Sequence, residues 1–271
     1  MTASDGRTLY VIASDGELLD SPVELKHLLM HAAERFEILV DGRNGKTFDL
    51  LTVPVAQEIM RLPPFDRPLP LVTINPVGAD GKGQLPERLA SLPPLPDHLP
   101  PVSQELVMNM FRDKEGMMAL GKTGLMAMAK SGKTEPAVVA RVVDLIVNGP
   151  ALSLADQLSA NGVNGKSFSM AEKGFAAPRN ELLHWRIAEN SDRMLHPVHI
   201  HGCQFRIVSQ DGHPPEAERA GWKDVAPISA GGVSEILLRF PFSAGRDHPY
   251  MAHCHILEHE DSGMMAQFTV S

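Results

Sequence analysis

Apolar residues recur at every second position in short stretches near the start of the chain: "TLYVIASDG", "RFEILVDGRNGKTFDLLTV" and "PLVTINPVG". Each stretch is closed by Gly, Asn, Asp or Pro. Side chains of a strand point alternately to the two faces of a sheet, so this period with Asp-Gly and Asn-Gly breaks predicts hairpin-connected strands. Residues 1 to about 78 therefore read as mostly β. The stretch 81–103, "GKGQLPERLASLPPLPDHLPPVS", is proline-rich, has little period and reads as an extended linker. After it, Ser103 is a candidate N-cap, and methionines at 108, 110, 117, 118, 126 and 128 suggest one or two short helices broken near Gly121 and Gly124. "EPAVVARVVDLIVNG" reads as a further apolar helix or strand. From about Gly165 the β pattern returns in "KSFSM", "ELLHWRIAEN", "CQFRIVSQDG", "VSEILLRFPF" and "MAQFTVS", a spacing that predicts a sandwich or Greek-key barrel.

Composition narrows the function. A formal net charge of -8 over 271 residues argues against nucleic-acid binding, which wants a basic stripe. No run of about 18 apolar residues exists to span a membrane. The first residues, "MTASDGRTLYVIASDGELLD", lack the basic and apolar regions of an export signal, so the expectation is a cytoplasmic chain or one that lacks an upstream part. Two cysteines, Cys203 and Cys254, make no disulfide framework and are expected to remain unbridged. Cys203 reads as a small buried apolar side chain.

The informative residues are the histidines. "HPVHIHG" carries His196, His199 and His201 within seven residues, and "MAHCHILEHEDSGMM" carries His253, Cys254, His255, His259 and Met264. If "HCH" is a strand, His253 and His255 share one face and Cys254 points to the other. A thiolate, two imidazoles and a weak axial thioether form a blue-copper site, suited to one-electron transfer. Cys254, His196, His259 and Met264 can supply it. A structural zinc would want a second cysteine or a closed Cys/His set. His199, His201, His253 and His255 are left to converge on a second, histidine-only metal centre, with the Cys254 backbone as a short covalent path between the two.

The two runs resemble the C-terminal copper motifs of the multicopper oxidases, H-P-x-H-x-H-G and H-C-H-x3-H-x4-M. Flanking "GWKD" (221–224), "YMAHCH" (250–255) and "LYVIASDG" (9–16) are similar to the bacterial copper efflux oxidases. The resemblance implies an all-β, cupredoxin-like Greek-key β-sandwich with short helices in a Met-containing insert. It assigns 1–80 to the C-terminal half of a middle cupredoxin domain, 81–103 to a linker and 104–271 to the C-terminal domain. It implies type 1 copper on His196, Cys254, His259 and Met264, a type 2 ligand in His199, and type 3 ligands in His201, His253 and His255. Glu260 would feed protons towards the oxygen site. Met108 and Asp113, with Asp192 and Met194, would hold a Cu(I) substrate, thioethers being soft ligands.

A trinuclear cluster in this family takes eight histidines, and none of His27, His31, His98, His184, His213 and His248 forms a further H-x-H pair. The resemblance thus implies a C-terminal portion of a three-domain enzyme that needs missing N-terminal cupredoxin domains. The implied activity is a periplasmic oxidase in copper tolerance, passing electrons from Cu(I) or phenols to O2, with the isolated chain inactive in O2 reduction. The alternatives are a non-enzymatic copper-binding or electron-transfer module that keeps only the type 1 site, and a scaffold of the same fold.

Overall fold

The computed structural model describes residues 1–54, 67–78, 83–111, 154–172, 174–189 and 194–271. Near the start, β1 (Thr2–Ala3), β5 (Phe48–Thr52) and β6 (Leu69–Ile74) form one three-stranded sheet. A second comprises β3 (Glu17–Leu25), β2 (Leu9–Ser14) and β4 (Phe36–Val40). Their alternating apolar positions, among them Leu9, Val11, Leu19, Phe48 and Leu50, close on one core.

The remaining strands form two larger sheets. One has the order β13 (Trp222–Lys223), β12 (Phe205–Gln210), β15 (Val233–Leu238), β10 (Leu183–Glu189), β7 (Val102–Met110), β8 (Asn161–Val163). The other runs β14 (Val225–Ile228), β11 (His196–Ile200), β16 (Tyr250–Cys254), β17 (Met265–Val270), β9 (Phe175–Ala177). Neighbours in space are mostly not neighbours in sequence, as in a Greek-key sandwich of cupredoxin type. Trp185, Ile187, Phe205 and Ile236 from one sheet meet Val198, Ile200, Ala252 and Phe268 from the other in a second core. Phe175 stacks on Phe268 at 5.0 Å between centroids, and Trp185 meets Phe268 edge-on at 5.5 Å, pairs worth about 0.5–1.5 kcal/mol each beyond area burial.

Ser103–Met110 is a strand, not the start of a helix: β7 runs parallel to β10, with Leu106 opposite Ile187 and Met108 opposite Glu189. Its buried residues, Leu106 and Met108, lie two apart, a spacing that fits a sheet as well as the methionine pattern does. The rest of the expected Met-containing helical insert, with Gly121 and Gly124, and "EPAVVARVVDLIVNG" lie outside the described residues. "KSFSM" forms no strand beyond an isolated bridge at Lys166. The described helices are α1 (Leu154–Leu158), α2 (Leu257–Asp261) and a 3₁₀ turn at Ala217–Arg219. Residues 83–101 run without regular structure: the Leu89 amide donates to the Asp20 carbonyl at 2.8 Å, and the Pro93 carbonyl accepts from Arg206 at 3.3 Å. No described helix is long and apolar enough to cross a membrane.

Between the first three-stranded pair of sheets and the sandwich sits a buried charge network. Lys223, with no exposed surface, lies 3.0 Å from Asp15 and 3.0 Å from Glu34, whose side chains are equally buried. Arg219 binds Glu34 at 2.8 Å, and Arg35 grips both carboxylate oxygens of Asp224 at 2.6 and 2.7 Å. Burial would raise the Glu34 carboxyl, but hydrogen bonds from His31 and Arg219 and the charges of Lys223 and Arg219 outweigh it and hold the group far below the usual carboxylate range. Removing one partner from such a set leaves an uncompensated buried charge. Lys223→Met, which strands Asp15 and Glu34 against each other, is expected to lower the unfolding free energy in urea by about 3–5 kcal/mol. A loss under about 1 kcal/mol would show that the network does not brace the junction.

Candidate metal centres

Strands β11 and β16 lie side by side and antiparallel, with Val198 opposite Cys254, His199 opposite His253 and Ile200 opposite Ala252. The ladder continues past the strand ends, the His255 amide donating to the Pro197 carbonyl at 2.7 Å and the His201 amide to the Met251 carbonyl at 2.9 Å. With a side-chain period of two, this register puts His196, Val198, Ile200, Ala252 and Cys254 on the core face. It puts His199, His201, His253 and His255 on the opposite face. One ribbon therefore separates the thiol from four imidazoles. Gly202 ends the first run at φ +80, a left-handed conformation, and a Cβ there would lie 2.3 Å from the Tyr250 ring. The turn after His201 thus requires glycine.

On the core face, Cys254 Sγ lies 3.6 Å from His196 Nδ1 and 3.6 Å from His259 Nδ1, and the two nitrogens are 3.3 Å apart. All three residues are buried. Helix α2 returns His259 to the strand it follows, and the chain then doubles back so that the Cys254 amide donates to the Met264 carbonyl at 3.1 Å. Met264 is fully buried in the same core as Cys254. An ion at the centre of this triangle would lie roughly 2 Å from each atom, the length of a metal–nitrogen or metal–sulfur bond. The donor set, one thiolate and two imidazoles in a plane with a buried thioether in the adjoining core, fits copper. The Ile256 amide approaches Sγ at 3.5 Å, a contact that tunes a thiolate-bound metal.

On the other face, ring centroids of His199 lie 5.1 Å from His201, 5.5 Å from His253 and 5.9 Å from His255. His253 lies 5.4 Å from His201 and 5.3 Å from His255. The ligand atoms of His199, His201 and His253 fall within 4.8 Å of one another. Hydrogen bonds at the rear nitrogens orient the rings. His199 Nδ1 is 2.8 Å from the Asp224 carbonyl, which can only accept, so Nδ1 carries the proton and Nε2 is left bare. His253 Nδ1 lies 3.1 Å from the Cys254 carbonyl and 3.2 Å from Glu260, fixing that ring in the same way. Burial first, then repulsion from His199, His253 and His255, pushes His201 down to about 4. Burial likewise lowers His253. The lowering of His201 and His253 favours their neutral form, the form in which an imidazole ligates a metal.

The structure brings together His196, Cys254 and His259 in one group and His199, His201, His253 and His255 in another, with Glu260 beside the second. Met194 is half-buried, two residues before His196. Met108 is fully buried in the sandwich core. Asp113 and Asp192 lie outside the described residues. Cys203 and Cys254 form no disulfide, and Cys203 is half-buried against the core, its thiol pushed up to about 12 by burial. Sequence reasoning missed Asp15, Arg35 and Asp224 as supports of the histidine face, and Glu34 and Lys223 as parts of the buried junction beside it. "SDG" reads as a hairpin turn and "GWKD" as flanking text, and nothing in either string reveals a burial shared across 208 residues.

Residues 146–271 match the family model described as multicopper oxidase. The multicopper oxidase mco of Staphylococcus aureus is 40% identical over 112 residues, 40% of this chain and 24% of that protein. The cell division protein FtsP of Proteus mirabilis is 27% identical over 277 residues, 100% of this chain and 48% of that protein. The solved bacterial laccase-like multi-copper oxidase CueO of Ochrobactrum sp. aligns at 30% identity and a TM-score of 0.72, over 100% of this chain and 52% of that one. The chain thus spans about half the length of the relatives that it matches from end to end.

Protonation of the histidine face carries a stability signature in the metal-free chain. His201 binds a proton near its ordinary pKa of 6.5 when unfolded but only at about 4 when folded. The unfolded state holds more protons between those values, so its contribution is fully present above about pH 6.5 and is lost as the pH falls to about 4. Denaturant midpoints are expected to fall across that window, with a smaller fall in His201→Gln. An equal slope in both proteins would show that His201 is not held neutral.

Proposed function

Because the chain belongs, through residues 146–271, to the multicopper oxidase family, we propose that it is the reductant-binding and electron-relaying part of a copper-dependent oxidase. The observation that carries the reading is the division of donors by one ribbon: Cys254 with His196 and His259 on one face, and His199, His201, His253 and His255 on the other. His196, Cys254, His259 and Met264 would hold a type 1 copper, His199 a type 2 copper, and His201, His253 and His255 the type 3 pair. Bound there, copper supplies one-electron redox change at the thiolate site and O2 reduction to water at the histidine site.

The chain's own residues do the rest. Burial of Cys254, His196 and His259 keeps water from the thiolate. The peptide bonds from Cys254 to His253 and His255 give electrons a covalent route of one residue between the faces. Glu260, whose carboxylate lies 3.2 Å from His253 Nδ1, would relay protons towards the histidine face. Four imidazoles are half of the ligand set the family uses, so the oxidase reading includes further multicopper-oxidase polypeptide that brings the second half. Cu(I), held by Met194 and Met108 with Asp113 and Asp192, is the proposed reductant, with phenols as a second class. Likeness to copper efflux oxidases favours work in periplasmic copper tolerance. A non-enzymatic electron-transfer module would keep the Cys254 site alone.

Copper-loaded protein is expected to show an intense visible thiolate–copper band, absent in Cys254→Ser. Oxygen uptake with Cu(I) should appear when the complementary family polypeptide is supplied. The band without any uptake would leave the electron-transfer module; absence of the band would end both readings. Met194→Leu should slow Cu(I) oxidation roughly tenfold, about 1.4 kcal/mol, and far more than it slows oxidation of a bulky organic dye. Equal slowing on both would reduce Met194 to a packing residue.

A further inference from the structure

The tip of the β2–β3 hairpin reaches the histidine face from the other side of the junction. Asp15 stands in the left-handed region at φ 51, beside Gly16, a conformation an aspartate tolerates in a tight turn. Its carboxylate nevertheless faces inward, with no exposed surface. Oδ2 accepts from the backbone amides of Asp224 at 3.1 Å and Val225 at 3.3 Å and lies 3.0 Å from Lys223 Nζ. Oδ1 accepts from the Arg35 amide at 3.0 Å. Arg35 closes the loop by gripping the Asp224 carboxylate at 2.6 and 2.7 Å.

The Val225 amide and the Asp224 carbonyl belong to one peptide unit, which is planar and trans, so its N–H and C=O point in opposite directions. An anchor on the N–H side therefore sets the direction of the carbonyl. That carbonyl accepts from His199 Nδ1 at 2.8 Å and from the Ile200 amide at 3.2 Å. We propose that Asp15 is a positioning residue for the histidine face: through the 224–225 peptide it selects the Nδ1–H form of His199 and aims Nε2 among the other three rings. A charged acceptor suits the task, because its hydrogen bonds are about twice as strong as neutral ones. The network also makes the ring's placement depend on docking of the two halves of the chain. The inference rests on reading His199 as a ligand of that face.

The test needs no metal. In the 271-residue chain at pH 8, where an ordinary imidazole is neutral, long-range ¹H–¹⁵N spectra report each ring's tautomer. Wild-type His199 should be a single Nδ1–H form with two well-separated nitrogen shifts. In Asp15→Asn, which replaces a double acceptor by a group that is half donor, those shifts should converge towards an average of tautomers. Glu34→Gln removes an equally buried partner of Lys223 without touching the 224–225 peptide, and should leave His199 unchanged. If Asp15→Asn does not fold, Arg35→Gln, at a half-exposed side chain, should produce the same convergence. An unchanged tautomer in Asp15→Asn or Arg35→Gln, the same change in Glu34→Gln, or an Nε2–H form in the wild type would overturn the proposal. The thiolate–copper band at Cys254 is independent of all these outcomes, so failure of the oxidase reading stays distinguishable.

Discussion

The pairing register of β11 and β16 is the constraint from which the rest follows. Side chains alternate across a strand, and a slip by one residue would exchange the two faces completely. In the observed register Val198 stands opposite Cys254 and His199 opposite His253, so sulfur and imidazole are sorted by the backbone before any metal is involved. The hydrophobic core enforces that choice. Val198, Ile200 and Ala252 share the thiol's face and are fully buried among the aromatics of the sandwich, so a slipped ribbon would put them in the polar layer.

The two faces then receive different environments from one ribbon. The thiol face is covered by α2 and the turn that returns Met264, and the His196–Cys254–His259 triangle is buried beneath them. The histidine face is more open and is held by hydrogen bonds at the rear nitrogens: a backbone carbonyl for His199, a carbonyl and a carboxylate for His253. Burial, and then the neighbouring rings, hold His201 below the ordinary imidazole range. The buried Asp15–Lys223–Glu34–Arg219 set ties this face to the sheets that precede it. Ion pairs so far from water are weak sources of net stability, but removing one partner leaves a buried charge uncompensated, so each is tolerated only when its partners are in place.

Much of this was legible in the strings themselves. "HCH" and "HPVHIHG" encode their facing through the period of two, and the short strands between turn residues gave the sandwich. Ser103–Met110 was misread because methionines at 108 and 110 suit either a helix or a strand, and only the parallel partner β10 decides between them. Asp15 was hidden for a different reason. In sequence, Asp-Gly after a strand signals a turn, and the turn is there; the inward carboxylate depends on a lysine 208 residues away, a relation that local patterns do not carry.

X-ray absorption at the copper edge, on the chain loaded with one equivalent of Cu(II), tests the central claim most directly. One short copper–sulfur bond with two imidazole nitrogens is expected, and the sulfur contribution must vanish when Cys254 is blocked. A copper shell of nitrogen and oxygen alone, with the thiol still titratable, would contradict it.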